Sequence, residues 1–574
     1  MVKVVFLVST ILVLALSCFA AEELVINGGF EEWVDGTPAG WTISAGATEQ
    51  SDAPVSIVSE VSGSPDGSAL GLGGGAETKI WMAVTQDISV IGMTQLTVKG
   101  RAASRDVQPD GHRFTNCQLM FIIYDADGNY LQRDFVTRFQ GTQEWTEAEM
   151  IILLPLGAKK MTVSCFLSMS GEAMFDDVSV IESWTPPEST GSRVADWHAD
   201  CKRFIDILEI KHPDPFAIVN KESFVASLHA VADEADELTD FQLALKLMRV
   251  VATLGDAHTG VGFPDGRQLT LGAGFALYDD EIRVTWAVQD LADLVGGRLI
   301  RCGDSSTADV MAALEPLVSA ETEAWRRAGA IGMLRMPTIL NSLGLIPEAD
   351  AVTYTVLHDD GRKVTLTADT TNPSSDLKLA MPPEGEGALR WSRRDRNWIR
   401  FLEDEHTLYV KYGACRNTRE LSLDTLGATI QEHLDTRNVH RFVLDLRQNG
   451  GGSSHQLKSI AAALAERRES DHPIRSFVLT DTGTFSSAVL DAAYFVLVAG
   501  AEVAGEPTGQ RPDHFGQVWS GVLPLSGLPF GCSSTRFGIM ADNPGWVPVD
   551  HPVVETWEDF TAGRDPVLEA VLGL

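Results

Sequence analysis

The chain has 574 residues, of which 44% are hydrophobic and 22% charged, and its mean hydropathy is +0.01. These values allow several folded domains and exclude a disordered or fibrous protein. The 45 basic and 79 acidic side chains give a net charge of −34 and a pI near 4.7. Such a surface repels phosphate groups, so nucleic acids and anionic membranes are not expected partners.

The N-terminal segment indicates the compartment. Lys3 precedes an apolar run from Val4 to Leu16, and Cys18-Phe-Ala places small residues at −3 and −1, so residues 1–20 are predicted to be a cleavable secretory signal. A membrane anchor is the alternative, but the run is short for a bilayer span. A lipoprotein anchor through Cys18 is weaker, because Ala15 stands where a bulky aliphatic residue is preferred. We expect an exported protein, periplasmic or extracellular, with no transmembrane segment after cleavage.

Export makes disulfides permissible. The cysteines beyond the signal are Cys117, Cys165, Cys201, Cys302, Cys415 and Cys532. They form neither a C-x-x-C pair nor a Cys/His cluster, so the sequence predicts no zinc site, and it suggests no other cofactor. Cys117 and Cys165 lie in strand-like stretches and are candidates for a pair. The alternative is that most of the six are small buried hydrophobes.

Residues 24–183 are predicted to form an all-β jelly-roll sandwich. Short alternating or β-branched runs are separated by Gly, Asp, Asn and Ser clusters, and no helical period interrupts them. The clearest runs are Gln95 to Lys99, Gln118 to Tyr124, Lys160 to Phe166 and Ala173 to Ile181.

Two motifs in this region resemble those of jelly-roll carbohydrate-binding modules. They are Asn27-Gly-Gly-Phe-Glu31, followed by Trp41, and Phe175-Asp-Asp-Val-Ser-Val180. The resemblance implies a groove lined by aromatic side chains that binds a polysaccharide. Tryptophans in a sandwich are also common core residues. The tryptophans that could belong either to the binding groove or to the core are Trp33, Trp41, Trp81 and Trp145.

Residues 184–192 form a linker by composition, because Pro, Ser, Thr and Gly dominate them. Helical periodicity follows in residues 193–264, where one predicted helix has Thr239 or Asp240 as its N-cap. Residues 265–385 mix strands and helices, and within them the stretch from Gly296-Gly-Arg-Leu-Ile300 to Asp309-Val310 faintly resembles the end of a PDZ domain, here a degenerate one.

Residues 390–574 are predicted to form an α/β core. Strands are predicted at Thr407 to Tyr412, Arg441 to Leu446, Ser476 to Thr480 and Ala501 to Ala504. Helices are predicted between them at Ser422 to Leu434, His455 to Glu466 and Ser486 to Val498. This alternation is typical of a parallel sheet, whose active sites gather at the carboxyl ends of the strands.

Two predicted strand ends carry residues suited to chemistry. Arg447-Gln-Asn-Gly-Gly-Gly452 could direct backbone N–H groups into a cleft, and the absence of a following Lys-Ser/Thr pair argues against a phosphate loop. Ser486, at the predicted start of a helix, is either an N-cap or a nucleophile beside that glycine run.

His258 is the best candidate for a base. It follows a long amphipathic helix on a polar turn, whereas most other histidines lie among charged residues. Its closest rivals are His455 and His514. A lone histidine is usually structural, so its position alone makes His258 only a suggestion.

Four motifs in order resemble the tail-specific (C-terminal processing) serine peptidase family, which includes the tricorn protease core. They are Leu254-Gly-Asp-Ala-His258-Thr-Gly, Asp445-Leu-Arg-Gln-Asn-Gly-Gly-Gly452, Thr484-Phe-Ser-Ser-Ala488 and Gly505-Glu-Pro-Thr-Gly509. The resemblance covers residues 193 to 574 and implies a crotonase-like α/β catalytic fold.

Carried over residue by residue, the resemblance implies Ser486 as the nucleophile, with Ser487 as the neighbouring alternative. It implies the N–H groups of Gly451 and Ser487 as oxyanion donors. One branch of the family uses a lysine shortly beyond Gly-Glu-Pro-Thr, but Arg511 stands in that stretch and cannot act as a base. The chain is therefore similar to the tricorn-like branch, which implies His258 as the base.

That branch also has an acidic residue near the C-terminus that supports the histidine. Asp542 is the nearest match, and Glu506 and Asp256 are its rivals. The resemblance thus implies a secreted serine endopeptidase with a peptide or protein substrate and no metal or cofactor. The alternative is an inactive peptidase fold whose sandwich binds polysaccharide. An α/β-hydrolase esterase would need a G-x-S-x-G elbow, which the sequence lacks.

Overall fold

A computed structural model describes residues 22–43, 55–57, 68–108, 117–264, 270–369, 377–381, 387–391, 395–540 and 546–574. The predicted signal, residues 1–20, and the predicted acid, Asp542, lie outside these residues. The chain divides into two compact units, the first ending at Pro187 and the second beginning at Glu188. Among the described residues, no helix combines the length and apolar character needed to cross a membrane.

The first unit is built from antiparallel strands. They are β1 (Trp33–Val34), β2 (Thr37–Pro38), β3 (Thr42–Ile43), β4 (Val55–Ile57), β5 (Leu70–Ser89), β6 (Gln95–Val107), β7 (Cys117–Tyr124), β8 (Tyr130–Phe139), β9 (Gly141–Leu153) and β10 (Lys160–Trp184). β10 pairs with β5 along most of its length, with β7 in its first half and with β6 in its second half. The change of partner falls near Gly171, whose φ is +111° and where a Cβ would lie 2.7 Å from the carbonyl oxygen of Arg105.

Some of the tryptophans that were candidates for the aromatic-lined groove belong to the core of this unit. Trp41 is buried against Phe30, with ring centroids 5.1 Å apart, and its indole N–H donates to the carbonyl of Ile26. Trp33 is half-buried and donates to the carbonyl of Phe30. Trp145 is half-buried on β9, and the side chain of Trp81 falls outside the described part of the chain. Two of the four tryptophans therefore serve packing.

The candidate pairing of Cys117 with Cys165 is wrong. All six cysteines named above are free and buried. In the β7–β10 register Cys165 faces Leu119 and Cys117 faces Leu167, so the two cysteines are diagonal neighbours. Diagonal positions in an antiparallel pair lie roughly 7–8 Å apart, beyond the usual reach of a disulfide.

The second unit begins with helices α1 (Arg193–Lys211), α2 (Lys221–Asp233) and α3 (Asp240–Val251). The side chains of Ser192, Asn220 and Thr239 cap them, and Thr239 forms a capping box with Gln242. α3 continues as a 3₁₀ turn, Ala252–Leu254, which ends at Gly255 in the left-handed conformation. This ending directs the chain into the turn that carries His258.

A mixed region follows, with strands β11 (Gly260–Val261), β12 (Ala273–Tyr278), β13 (Glu281–Val288), β14 (Arg298–Cys302), β15 (Ser305–Ser306), β16 (Ala351–Leu357), β17 (Lys363–Asp369) and β18 (Leu377–Leu379). Its helices are α4 (Thr307–Leu314), α5 (Glu323–Met333) and α6 (Pro337–Ser342). Except for β11, these strands form one antiparallel sheet with the order β12-β13-β14-β16-β17 along its main path. Whether this region is PDZ-like stays a prediction.

The remaining strands are β19 (Asn397–Leu402), β20 (Thr407–Tyr412), β21 (Arg441–Asp445), β22 (Arg475–Thr480), β23 (Glu502–Gly505), β24 (Asp513–Val522), β25 (Pro529–Gly538) and β26 (His551–Pro552). The helices are α7 (Leu423–Thr436), α8 (Lys458–Arg468), α9 (Ser487–Tyr494), α10 (Trp557–Ala562) and α11 (Pro566–Leu572). One sheet has the order β19-β20-β21-β22-β23-β26, and all its pairs except β19–β20 are parallel. The predicted parallel α/β core is confirmed.

The alternation of side chains across this sheet explains its two layers. Leu444 of β21 belongs to a core shared with α7, α8 and α9, whereas Val443 belongs to a second core with Val567 of α11. Successive strand residues point to opposite faces of the sheet. Because helices cover both faces of this parallel sheet, both faces are apolar. The carboxyl ends of β21 and β22, which carry the glycine run and Ser486, lie side by side.

We expect residues 188–574, expressed alone, to fold as one cooperative unit. The boundary lies in a segment rich in Pro, Ser and Thr, which is a composition typical of linkers between domains that fold independently. Scanning calorimetry of the fragment should give one transition, at the temperature of one of the transitions of the full chain. A fragment that aggregates, or melts far below the full chain, would show that the first unit is needed for the fold of the second.

Candidate active site

The structure brings His258 and Ser486 together across 228 positions of sequence. The Nε2 atom of His258 lies 3.0 Å from the Oγ atom of Ser486. His258 lies on the tight turn between α3 and β11, where its N–H donates to Oδ1 of Asp256 at 3.0 Å. A histidine and a serine at this distance can exchange a proton, which is the first requirement of a nucleophile–base pair.

Ser486 lies in a strained backbone conformation at the start of α9. Its φ is +55° and its ψ is −125°, in a region that non-glycine residues rarely adopt. Its side chain does not cap the helix. The strained turn instead points Oγ at His258, much as a strand–turn–helix elbow exposes a nucleophile. Ser486 therefore occupies the N-cap position of α9 without making the side-chain bond of a helix cap.

The glycine run lies directly against this serine. Gly451 has φ of +95°, and a Cβ there would lie 2.7 Å from Cβ of Ser486 and 3.0 Å from the backbone nitrogen of Ser487. Only glycine allows so close an approach. The N–H of Gly451, however, donates to Oδ1 of Asn449 at 2.9 Å. As the first residue of α9, Ser487 has an N–H without a partner inside the helix.

The hydroxyl of Ser487 is turned away from His258. Its Oγ donates to the carbonyl of Gly452 at 2.7 Å and lies 2.8 Å from Oγ of Ser454. The side chain is 3% exposed. This geometry favours Ser486 over Ser487 as the reactive hydroxyl.

Aromatic rings pack around the imidazole of His258. Phe485 stacks on it with centroids 4.9 Å apart, and Trp325 of α5 stacks on Phe485 at 3.9 Å. Burial lowers the pKa of His258 below its ordinary value, although the negative charge of Asp256 and a hydrogen bond to the backbone of Phe515 oppose the shift. The ring is therefore neutral, as a base must be, at and above neutral pH.

The two rival histidines have other surroundings. His514 lies 5.9 Å from the His258 ring, its Nδ1 atom lies 2.7 Å from the carbonyl of Arg511, and burial lowers its pKa to about 4. His455 packs edge-on against Tyr494, with centroids 6.3 Å apart. Neither histidine has the contact with Ser486 that His258 makes.

Asp256 holds the turn rather than the imidazole. Its Oδ2 atom accepts from the Thr259 hydroxyl at 2.5 Å and lies 3.0 Å from Nε2 of the buried His212. Burial alone would raise the pKa of Asp256, but hydrogen bonds from His212, Thr259 and Ser533 lower it to about 2. Burial raises the pKa of the other rival acid, Glu506, and the negative charges of Asp481 and Glu555 raise it further. Asp542 lies outside the described residues and stays a prediction.

Gln510 and Glu321 lie beside the pair, and sequence reasoning missed both. The fully buried Gln510 accepts from the Ser486 N–H at 3.0 Å, and its Nε2 atom lies 3.3 Å from Nδ1 of His258. The same Nε2 donates to Oε1 of Glu321 at 2.9 Å. Gln510 directly precedes Arg511, in the stretch where a branch of the family would have its lysine. That position is the signal that could have indicated it.

Arg511 itself is exposed. Its guanidinium lies over the ring of Trp546, 6.0 Å from the centroid. The neighbouring Gln510, not Arg511, reaches the pair.

Asp256, His258 and Glu321 each place a potential metal-ligand atom within 4.8 Å of the others. Each of the three side chains also makes a hydrogen bond within the protein: Asp256 with Thr259, His258 with Ser486, and Glu321 with Gln510.

No family model and no curated protein matches the chain. Among solved structures, mature CPAF is 13% identical, with 66% of this chain and 97% of that chain covered and a TM-score of 0.47. The photosystem II D1 C-terminal processing protease is 15% identical over 62% of this chain and 93% of its own, with a TM-score of 0.31.

The first unit also has similar solved structures. The CBM22-1 xylan-binding domain from Paenibacillus barcinonensis Xyn10C is 18% identical, with 28% of this chain and 95% of that chain covered and a TM-score of 0.20.

Proposed function

We propose that the chain is a secreted serine endopeptidase with Ser486 as nucleophile and His258 as general base. The observation that carries the proposal is the 3.0 Å contact between Oγ of Ser486 and Nε2 of His258, made by a serine in a strained conformation. The order of its four motifs, similar to the tricorn-like branch of tail-specific peptidases, and the parallel sheet behind the site support the same assignment. The crotonase-like description of that core is part of the proposal.

The proposed reaction uses this chain's own groups. Nε2 of His258 takes the hydroxyl proton as Oγ of Ser486 attacks the carbonyl carbon of a peptide bond. The protonated imidazole then gives that proton to the leaving amine, and an acyl group remains on Ser486. Water, deprotonated by His258, releases the acid product and restores the hydroxyl.

The proposed oxyanion donors are the N–H groups of Ser487 and Gly451. The N–H of Ser487 is the first of α9, at the positive end of the helix dipole, and it has no partner inside the helix. The N–H of Gly451 becomes a second donor only when the oxyanion competes with Oδ1 of Asn449, which accepts it at 2.9 Å. A charged oxyanion is a stronger acceptor than an amide oxygen, so the exchange is favoured during the reaction.

The alternative, an inactive fold that only binds, is less well supported. A protein that only binds has no need to hold a serine in a strained conformation against a histidine. Polysaccharide binding by residues 24–183 stays a prediction, and Trp145, which is half-buried and is not one of the two packing tryptophans, is the first described tryptophan to replace in a test of it. Secretion through residues 1–20 and the role of Asp542 are proposed on the sequence alone.

A fluorophosphonate probe should label the full chain at Ser486. Such probes react with activated serine nucleophiles, so peptide mapping by mass spectrometry should find the adduct on Ser486 and on no other serine. Ser486→Ala should remove the label. Ser487→Ala is the matched control and should keep it, because that hydroxyl faces Gly452 and Ser454. An adduct on Ser487, or an unlabelled wild-type chain, would contradict the proposal.

A further inference from the structure

A carboxylate outside the four motifs connects the segments that carry Ser486 and His258. Glu321 lies just before α5, and its Oε1 atom accepts from Nε2 of Gln510 at 2.9 Å and from the N–H of Ala257 at 3.4 Å. Gln510 in turn accepts from the Ser486 N–H at 3.0 Å. One oxygen atom thus contacts the turn of His258 directly and the backbone of Ser486 through one amide.

We propose that Glu321 is a positioning residue of the peptidase reaction, which holds the Gln510 amide in one orientation and thereby fixes the spacing of Ser486 and His258. This inference rests on the proposed function, and it gives a role to a residue that lies outside the four sequence motifs. Glu321 does not contact Oγ of Ser486, so its effect on the reaction is indirect.

The orientation of the amide explains why a carboxylate is needed. The side chain of Gln510 has no exposed surface, so each of its polar atoms must find a partner inside the protein. With its oxygen towards the Ser486 N–H and its nitrogen towards Glu321, both ends are satisfied. If the amide were flipped, its NH2 group would face the Ser486 N–H, donor against donor. Its oxygen would then face Oε1 of Glu321, acceptor against acceptor. A charged carboxylate makes that flip unfavourable.

A second contact from the same segment holds the loop of Gln510. The hydroxyl of Thr322 donates to the carbonyl of Gly509 at 2.7 Å, and Thr322 also caps α5. The neighbours Glu321 and Thr322 therefore hold the neighbours Gly509 and Gln510. The position of the amide relative to α5 is fixed by both bonds, whereas its orientation is fixed by Glu321.

The charge of Glu321 should change near pH 7. Burial raises the pKa of Glu321 to about 7, the charge of Asp256 raises it as well, and the hydrogen bonds from Gln510 and Ala257 oppose these effects. The Oε2 atom is buried and has no hydrogen-bond partner in the described part of the chain. The groups that face the carboxyl are Asp256, His258 and Gln510, and none of them is a lysine or arginine.

The sign of the pH dependence follows. The ionised carboxylate is the form that holds the amide, so this contribution is present above about pH 7 and is lost as the pH falls through that value. His258 loses its function as a base at lower pH, because its own pKa is lowered by burial. The acid limb of the wild-type rate should therefore contain two ionisations, of which the upper belongs to Glu321.

Glu321→Gln in the full chain tests the proposal. Both kcat/KM for an unstructured fluorogenic peptide and the rate of fluorophosphonate labelling should be measured from pH 5 to pH 9. At pH 8 the variant should be slower by about 10- to 100-fold, because a misplaced nucleophile is penalised on that scale. Its acid limb should have a single ionisation, at lower pH than in the wild type. Glu323→Gln, the same change on an exposed residue of α5, should leave both rate and profile unchanged.

The exchange variant Glu321→Gln/Gln510→Glu keeps the test informative if the single variant folds poorly. It returns one carboxylate and one amide to the same two positions, so the labelling rate should recover towards wild type. An active wild type, together with a Glu321→Gln profile that matches it in rate and midpoint, would overturn the role of Glu321. A wild-type chain that is never labelled at Ser486 would instead overturn the proposed function.

Discussion

Replacing His258 with alanine in the full chain should lower kcat/KM at pH 8 by at least about 10⁴-fold, the scale seen when the base of a serine nucleophile is removed. The imidazole contacts Oγ of Ser486 at 3.0 Å, and neither rival histidine shares this contact. Among the described residues, no other side chain has a hydrogen bond to Oγ of Ser486. Hydrolysis of a small unstructured peptide, followed with the protein in excess and in a single turnover, measures the loss.

Arg511→Ala is the matched control for this loss. The guanidinium is exposed and lies over Trp546, so its removal should change substrate binding at most and leave kcat unaltered. If the rate depends on Arg511 and not on His258, the assignment to the tricorn-like branch is wrong. Circular dichroism of the His258 variant should match the wild type, because Asp256 keeps its bond to Thr259 and thus the turn.

The regular elements of the second unit were predictable because local patterns determine them. The strand predicted at Thr407 to Tyr412 has those bounds in the structure, and the predicted helices differ mainly at their ends. Parallel strands with two apolar faces and helices with N-caps carry strong sequence signals. The nearness of β21 and β22 then placed the glycine run beside Ser486 without further information.

The features that were missed depend on tertiary contacts. The positive φ of Ser486 could not be predicted, because a positive φ is usually indicated by a glycine and this position has a serine. The predicted pairing of Cys117 with Cys165 was wrong because the two residues are offset by two positions in the strand register. Gln510 and Glu321 meet only because α5 packs near the loop after β23. Their residue types are common on surfaces, so no local pattern marks them. The engagement of Gly451 by Asn449 depends on a side-chain rotamer, which spacing cannot predict.

A buried ion network beneath the glycine run was also invisible in the sequence. Arg447 is 1% exposed, and it forms paired bonds to Asp445 at 3.0 and 2.6 Å and to Asp565, just before α11, at 2.7 and 2.8 Å. Lys411 donates to Oδ1 of Asp445 at 3.2 Å and to the carbonyl of Arg447 at 2.5 Å. Two cations and two anions are therefore balanced where β21 ends and the glycine run begins.

Removing one charge from this network should strongly destabilise the second unit. Asp565→Asn is expected to lower the free energy of unfolding by about 3–5 kcal/mol, because it leaves a buried guanidinium without one of its two carboxylates. Asparagine is as good an N-cap as aspartate, so the cap that Asp565 provides for α11 is preserved and the effect reports the charge. Burial alone would raise the pKa of Asp565, but Arg447 lowers it, which places the charged form in the native state.

Glu403→Gln is the control for this prediction. Glu403 pairs with Arg437 at 3.0 Å, and their side chains are 70% and 48% exposed, so the change should cost less than about 1 kcal/mol. Scanning calorimetry of both full-chain variants, read at the transition of the second unit, gives the comparison. Because Arg447 lies three residues before Gly450, the first glycine of the run, Asp565→Asn should also reduce fluorophosphonate labelling of Ser486 at temperatures where the unit is still folded. An Asp565→Asn chain as stable as Glu403→Gln would mean that water reaches Arg447 and that this network does not hold the loop.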